Sequence, residues 1–355
     1  MVNLDSIEQI KRIDMSDLIT SIYNLPDQLN QAWEEIHSLS IKENYDEILN
    51  IVVSGMGGSA LGGRIVDSFM FDKIRVPIEI VTDFKLPHYV NKNTLVIISS
   101  YSGNTAETIS TFYDAEQSKA KIFGIATGGK LAELLKNNNS DSYIFNPFNN
   151  PSAQPRMGLG YSIGAILAIL AKYNFITFSK NEIESVVNFL RIKTKEFSVD
   201  INEPENLAKI FAKKLFGKAV SLVSAEHLLG VSHAFKNQLN ENSKTLSFIF
   251  DLPELNHHLL EGLKKPSQIK QYMKFLLIHS KRFSDSLLKV TSISKDLIKE
   301  QSFDVEEIET EGESKLEEIF YILVFGSFIS YYLSLLYETD PTPIPTVEEF
   351  KKRIS

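Results

Sequence analysis

The chain has 355 residues, 43% of them hydrophobic, enough to bury the cores of two domains of ordinary size. Its net charge of −8 speaks against the clustered Lys and Arg that nucleic-acid binding needs. The lack of cysteine excludes disulfides, thiolate nucleophiles and thiolate-ligated metals. The amino terminus, MVNLDSIEQIKRID, is charged and amphipathic without the apolar core of a signal peptide, so a cytoplasmic protein is expected. An amphipathic helical lead-in is predicted over 15–39. Five apolar runs follow, at 50–54, 78–82, 94–99, 121–126 and 142–146, each of the kind buried on both faces of a parallel sheet. The stretches between them predict helices on both faces, a doubly wound α/β unit. Further helices are predicted over 161–173 and 180–197. A looser repeat of the pattern then sets strands at 219–224, 246–250, 274–279 and 303–309, and it reads as a diverged duplicate. Residues 319–337, IFYILVFGSFISYYLSLLY, are uncharged and long enough to cross a bilayer. Acidic flanks (Glu317, Glu318, Glu338 and Asp340) and the lack of a basic cluster argue instead for a buried helix, partly at a subunit interface, and no membrane. After it, ETDPTPIP forbids a continuing helix and TVEEFKKRI predicts a short one.

The most informative stretch is SSYSGNT, 99–105, set between an apolar strand and a helix beginning TAET. A helix amino terminus presents unpaired backbone N–H groups and the positive end of the macrodipole, so an anion settles there without a basic side chain. Ser100, Ser102 and Thr105 add hydroxyl donors, and Gly103 lets the backbone approach closely. A turn whose hydroxyls merely cap the helix is the plainer alternative. Four Ser or Thr in seven positions exceed what capping uses, so a phosphate cradle is expected. The first strand runs into SGMGGSALGG, 54–63, whose Gly55, Gly57 and Ala60 fit the GxGxxA dinucleotide fingerprint, with Asp83 near the end of the second strand as a candidate ribose ligand. Without more, that fingerprint is weak. Both readings share a tight glycine turn where open α/β sheets bind ligands.

Two such loops, after the first and third strands of a duplicated domain, resemble the sugar isomerase (SIS) family, and more narrowly its bifunctional phosphoglucose/phosphomannose isomerases of archaeal type. The resemblance covers essentially the whole chain. Its motifs are SGMGGSALGG, SSYSGNTAET, PRMGLGY at 155–161, KNQLNENSK at 236–244, PELNHH at 253–258, and the DPTP tail with its lysine. It implies two doubly wound parallel-sheet SIS-type domains. The expected boundaries are a lead-in at 1–45, a phosphate-binding domain at 46–175, a bridging helix at 176–204, a second domain at 205–337, and a tail at 338–355 that contributes to the active site. The second domain has IHSKRFSDSL where the first has SSYSGNTAET, so one phosphate site per chain is expected.

The resemblance also implies roles. Ser100, Ser102 and Thr105 hold the substrate phosphate, and Gly55, Gly57, Gly58 and Ser59 form a substrate-binding loop. Glu241 is the base that moves a proton between C1 and C2 of the open-chain sugar; a carboxylate suits this because it can take and return one proton, an effect of about 10²–10⁴-fold. Read alone, it is a solvated glutamate in a polar run. His257, or His258 beside it, opens the sugar ring, since imidazole titrates near neutrality; the plainer alternative is a structural hydrogen-bonder. Glu254 and His257 form an ExxH pair, but its partner motif is missing, so no metal is expected. Arg156 is the sole Lys or Arg between Lys136 and Lys172 and is placed to steady an enediolate, or else to tie down a loop carboxylate. Lys351, with Lys352 as the alternative, assists ring opening. The implied protein is a cytoplasmic homodimer with shared active sites that takes sugar phosphates and needs no cofactor. The rivals are a non-catalytic sugar-phosphate sensor, set back by the absence of a basic helix-turn-helix appendage, and a nicotinamide-dependent dehydrogenase.

Overall fold

Strands appear where apolar runs predicted them, within a residue or two. The computed structural model describes residues 2–354. It begins with helices α1 (Ile7–Ile13), α2 (Leu18–Tyr23) and α3 (Leu25–Ser38). Buried Asp14 starts α2 by accepting the Leu18 and Ile19 N–H groups at 2.9 and 3.1 Å. Helix α1 precedes the predicted lead-in, because seven residues are too few for an apolar period to show.

The first sheet holds β1 (Asn50–Ser54), β2 (Ile78–Val81), β3 (Thr94–Ser100), β4 (Lys121–Ala126) and β5 (Asp141–Ile144), all parallel, in the order β2-β1-β3-β4-β5. Central β3 is buried along its whole length, as a strand covered on both faces must be. Between the strands run α4 (Gly58–Met70), α5 (Ala106–Gln117) and α6 (Gly129–Asn137), and α7 (Leu159–Lys172) and α8 (Lys180–Glu196) follow. On one face Val52, Val96, Ile98 and Ile122 pack with Phe112 of α5 and Leu131 and Leu135 of α6. Helix α4 packs against α7, which in turn packs against α3. Where α7 meets α3, a Cβ on Gly160 or Gly164 would stand 2.8 or 2.9 Å from the carbonyl oxygens of Leu25 and Leu29, so small residues set that close approach.

The second sheet repeats the scheme. It holds β6 (Ala219–Ser224), β7 (Ser247–Asp251), β8 (Met273–His279) and β9 (Asp304–Glu309), again parallel, in the order β7-β6-β8-β9. Its helices are α9 (Leu207–Leu215), α10 (Leu229–Glu241), the single turn α11 (Leu259–Gly262), α12 (Asp285–Glu300), α13 (Lys315–Leu336) and α14 (Pro345–Ile354). The chain divides into two compact units: Asn24–Leu190 carries the first sheet, while the residues through Tyr23 join those from Arg191 onward around the second. Within that second unit the fully buried Lys209 ammonium donates to Asp5 at 2.9 Å and to the carbonyls of Val199 and Ile201.

Helix α13 is long and apolar enough to cross a membrane, yet every residue after Lys315 is buried. Helices α2, α9 and α10 pack against it. The expectation that it offers subunit-interface surface is therefore corrected: the chain itself covers every face. The acidic pair at its start, Glu317 and Glu318, is buried with it.

Candidate active site

Strand order reverses direction between β1 and β3, and in an open parallel sheet the crevice outside the carboxyl ends at such a point is where ligands bind. Both glycine-bearing loops lie there. β1 runs into Gly55–Ser59 and the amino terminus of α4, and β3 runs into Ser100–Thr105 and the amino terminus of α5. The Ser59 hydroxyl accepts the Tyr101 N–H at 2.9 Å, which ties the loops together. Ser100 Oγ donates to Thr105 Oγ1 at 3.1 Å, and that threonine hydroxyl caps none of the N–H groups of α5. The first-turn N–H groups of α5 thus receive no cap from Thr105, which is the arrangement a helix amino terminus offers to anions, and Ser102 stands exposed nearby. Gly103 has φ +69°, and a Cβ there would lie 1.8 Å from the Gly128 carbonyl oxygen, so only glycine builds this turn.

Gly57 opens α4 at φ +49° with no atom near its would-be Cβ. Its neighbours are packed instead. A Cβ on Gly55 would stand 2.9 Å from the Ser99 carbonyl oxygen, and one on Gly58 would stand 2.8 Å from Pro155 and 2.9 Å from the Arg156 nitrogen. The Pro155–Met157 turn therefore closes over the first loop and brings Arg156 to it. Arg156 is 1% exposed, and its guanidinium donates to Gln154 Oε1 at 2.7 Å. Asp83 lies exposed two residues beyond β2.

Sequence reasoning missed the groups that hold this arrangement. Tyr101 is the hub: its carbonyl accepts from the Thr127 N–H and hydroxyl, and its own hydroxyl accepts from Asn150 Nδ2 at 2.8 Å. Burial pushes the Tyr101 phenol above its ordinary value, partly offset by Asn150, and pushes Tyr161 up to about 12. Both remain neutral at physiological pH. Gln28 of α3 bonds the Met157 carbonyl at 2.9 Å and the Gly160 N–H at 3.3 Å, steadying the turn that carries Arg156. A third glycine turn, Thr127–Gly129, buttresses the Ser99–Thr105 loop, with Asn104 Oδ1 accepting the Lys130 N–H at 3.0 Å. A TGG after the fourth strand was the one legible signal.

In the second unit Glu241 is the last residue of α10. That helix is registered on α13 by Gln238 to Ser327 at 2.9 Å and Asn242 to Ser330 at 3.0 Å. Lys244 then ties the helix end to the carboxyl-terminal tail, its ammonium donating to the carbonyls of Glu241, Asn242, Asp340 and Pro341. His257 closes a short turn, Glu254–His257, after β7, and both it and His258 are exposed. Lys351 and Lys352 are exposed on α14, none of whose residues is buried. Glu241, His257 and Lys351 thus lie on three separate elements. Among the described residues no three His, Asp or Glu side chains gather as metal ligands.

A family model described as the bacterial phospho-glucose isomerase C-terminal SIS domain matches residues 204–354. A bifunctional phosphoglucose/phosphomannose isomerase of Caldicellulosiruptor bescii is 34% identical over 340 residues, 95% of this chain and 99% of that protein. One of the same name from Thermoplasma acidophilum is 30% identical over 91% of this chain and 97% of its own. The solved structure of a hypothetical protein from Thermus thermophilus superposes with a TM-score of 0.74 over 98% of this chain and 94% of that one, at 14% identity, and so speaks for the fold alone. With identity of this degree running along nearly the full length of both sequences, the chain belongs to the family of bifunctional phosphoglucose/phosphomannose isomerases and carries its SIS domains.

Proposed function

We propose that this protein is an aldose–ketose isomerase that interconverts glucose 6-phosphate and fructose 6-phosphate, and at the same site mannose 6-phosphate and fructose 6-phosphate. The observation that carries this reading is the pair of glycine-bearing loops and uncapped helix amino termini at the carboxyl ends of β1 and β3, in a chain of this family. The phosphate docks on Ser100, Ser102, Thr105 and the amino terminus of α5, with the Gly55–Ser59 loop against the sugar. His257, assisted by Lys351, moves the proton that opens the ring.

Glu241 then takes the C2 proton of the open-chain aldose. The electron pair forms the C1–C2 double bond and leaves negative charge on O1, which the Arg156 guanidinium steadies. Passage of the O2 proton to O1 and return of the carboxyl proton to C1 give the ketose. In the reverse direction, delivery of the proton to one face of C2 gives glucose and to the other gives mannose, so a single enediolate serves both epimers. We place the protein in the cytoplasm, in glycolysis and gluconeogenesis, as a homodimer whose sites draw on both chains. The exposure of His257 in one chain suits a site completed by a second.

The test is conversion of fructose 6-phosphate to glucose 6-phosphate and mannose 6-phosphate by purified protein, with Glu241→Gln abolishing turnover while substrate binding persists. Binding without turnover in the unaltered protein would overturn the enzyme reading in favour of a sensor.

A further inference from the structure

The second sheet reverses strand direction between β6 and β8, the same topological place that holds the phosphate loops of the first sheet. That crevice is filled by a side chain. Glu318, on the first turn of α13, is 3% exposed, and its carboxylate takes donors from the loops after both strands. Three residues past β6, His227 Nε2 lies 2.8 Å from Oε2. Directly after β8, the Ser280 hydroxyl donates to the same oxygen at 2.7 Å. The Arg282 guanidinium reaches Oε1 at 3.3 Å and also donates to the Gly312 carbonyl at 3.1 Å. The Ser280 hydroxyl accepts the Arg282 N–H at 2.8 Å, so the loop is folded around the anion.

A guanidinium, an imidazole and a hydroxyl converging on two carboxylate oxygens are the donor set that recognises a phosphate or phosphomonoester. The imidazole is itself buried at 2% exposure against the edge of Phe283, and its Nδ1 has no partner among the described residues. We propose that this crevice is an oxyanion site whose resident ligand is the chain's own Glu318 carboxylate, and that removing this carboxylate opens the site to phosphate. The two sheets would then differ less in their architecture than in their occupant: one takes its anion from solution, the other from α13.

The test compares the full-length wild type with Glu318→Ala, using inorganic phosphate as probe and chloride at matched ionic strength as control. Glu318→Ala is expected to bind one more phosphate per chain than wild type by titration calorimetry. Phosphate should also raise its melting temperature well beyond the chloride effect and beyond the shift seen in wild type. The added phosphate should disappear in Glu318→Ala combined with Arg282→Ala. A soluble Glu318→Ala that binds no additional phosphate overturns the proposal. Should the variant fail to fold in chloride, recovery of soluble protein on refolding in phosphate supports the site, and equal failure in both salts overturns it.

Discussion

Gly103→Ala is the sharpest perturbation of the Ser99–Thr105 loop, the proposed phosphate cradle. The new methyl would stand 1.8 Å from the Gly128 carbonyl oxygen and 2.8 Å from its carbon, and because both are backbone atoms no side chain can swing away. The left-handed φ of +69° adds about 1–2 kcal/mol of strain for an L residue. Forcing the two turns apart adds about 1–3 kcal/mol as overpacking and strains the 2.8 Å hydrogen bond from the Leu131 N–H to the Gly103 carbonyl. A destabilisation of about 2–5 kcal/mol is expected by urea unfolding. Since the same movement carries Ser102 and Thr105 off the amino terminus of α5, the KM for fructose 6-phosphate should rise at least about tenfold, equivalent to losing about 1.4 kcal/mol of binding. Gly217→Ala is the matched control, with a similar φ of +76° and nothing within 4 Å of the added methyl. It should cost only the strain and leave KM unmoved. If Gly103→Ala loses no more stability than Gly217→Ala and keeps the wild-type KM, the close packing of the two turns is not what shapes the site.

Ser102→Ala should raise KM more than it lowers kcat, because the phosphate is remote from the reacting carbons; an unchanged KM would remove this hydroxyl from the cradle. Treatment with a chelator should leave turnover intact, whereas a loss restored by a divalent ion would reinstate Glu254 and His257 as a metal pair. Asp5→Asn should cost about 3 kcal/mol in urea unfolding, because it strands the fully buried Lys209 ammonium without its counter-charge. Burial opposes ionisation of Asp5, but the Lys209 hydrogen bond and charge outweigh it and hold the pKa below the ordinary 3.8. The stability Asp5 lends is therefore fully present above that value and lost as pH falls through the lowered one. The gap between wild type and Asp5→Asn should narrow in that acid range, and a gap that stays constant down to about pH 2 would mean the pair contributes no charge-dependent stability.

The strands were legible because a parallel sheet buries both faces of its inner strands, leaving uninterrupted apolar runs such as IVVS and TLVIIS. The Ser99–Thr105 turn between β3 and α5 was legible because its hydroxyl and glycine residues are nearly consecutive along the chain. What held it in place was not. Gln28 reaches Met157 across 129 positions and Tyr101 reaches Asn150 across 49, and no local period marks residues paired at such separation. Arg156 stands out in the sequence by its isolation among neutral residues, but its burial within the Pro155–Met157 turn, packed against Gly58, is something only the fold reveals. The role of Glu318 was hidden for a similar reason: its partners lie 91 and 38 positions upstream.

Helix α13 is apolar on every side, and it leaves the ribosome after the helices that cover it. Its covers, α2, α9 and α10, are all synthesised earlier, so a greasy trough is already in place when it emerges. Nascent chains that stop short of Lys315 leave that trough open. They also leave Gln238 and Asn242 without the serines that align α10, and with it Glu241. Synthesis of α13, rather than of the last strand, is then the event that sets the second unit's carboxylate in its place.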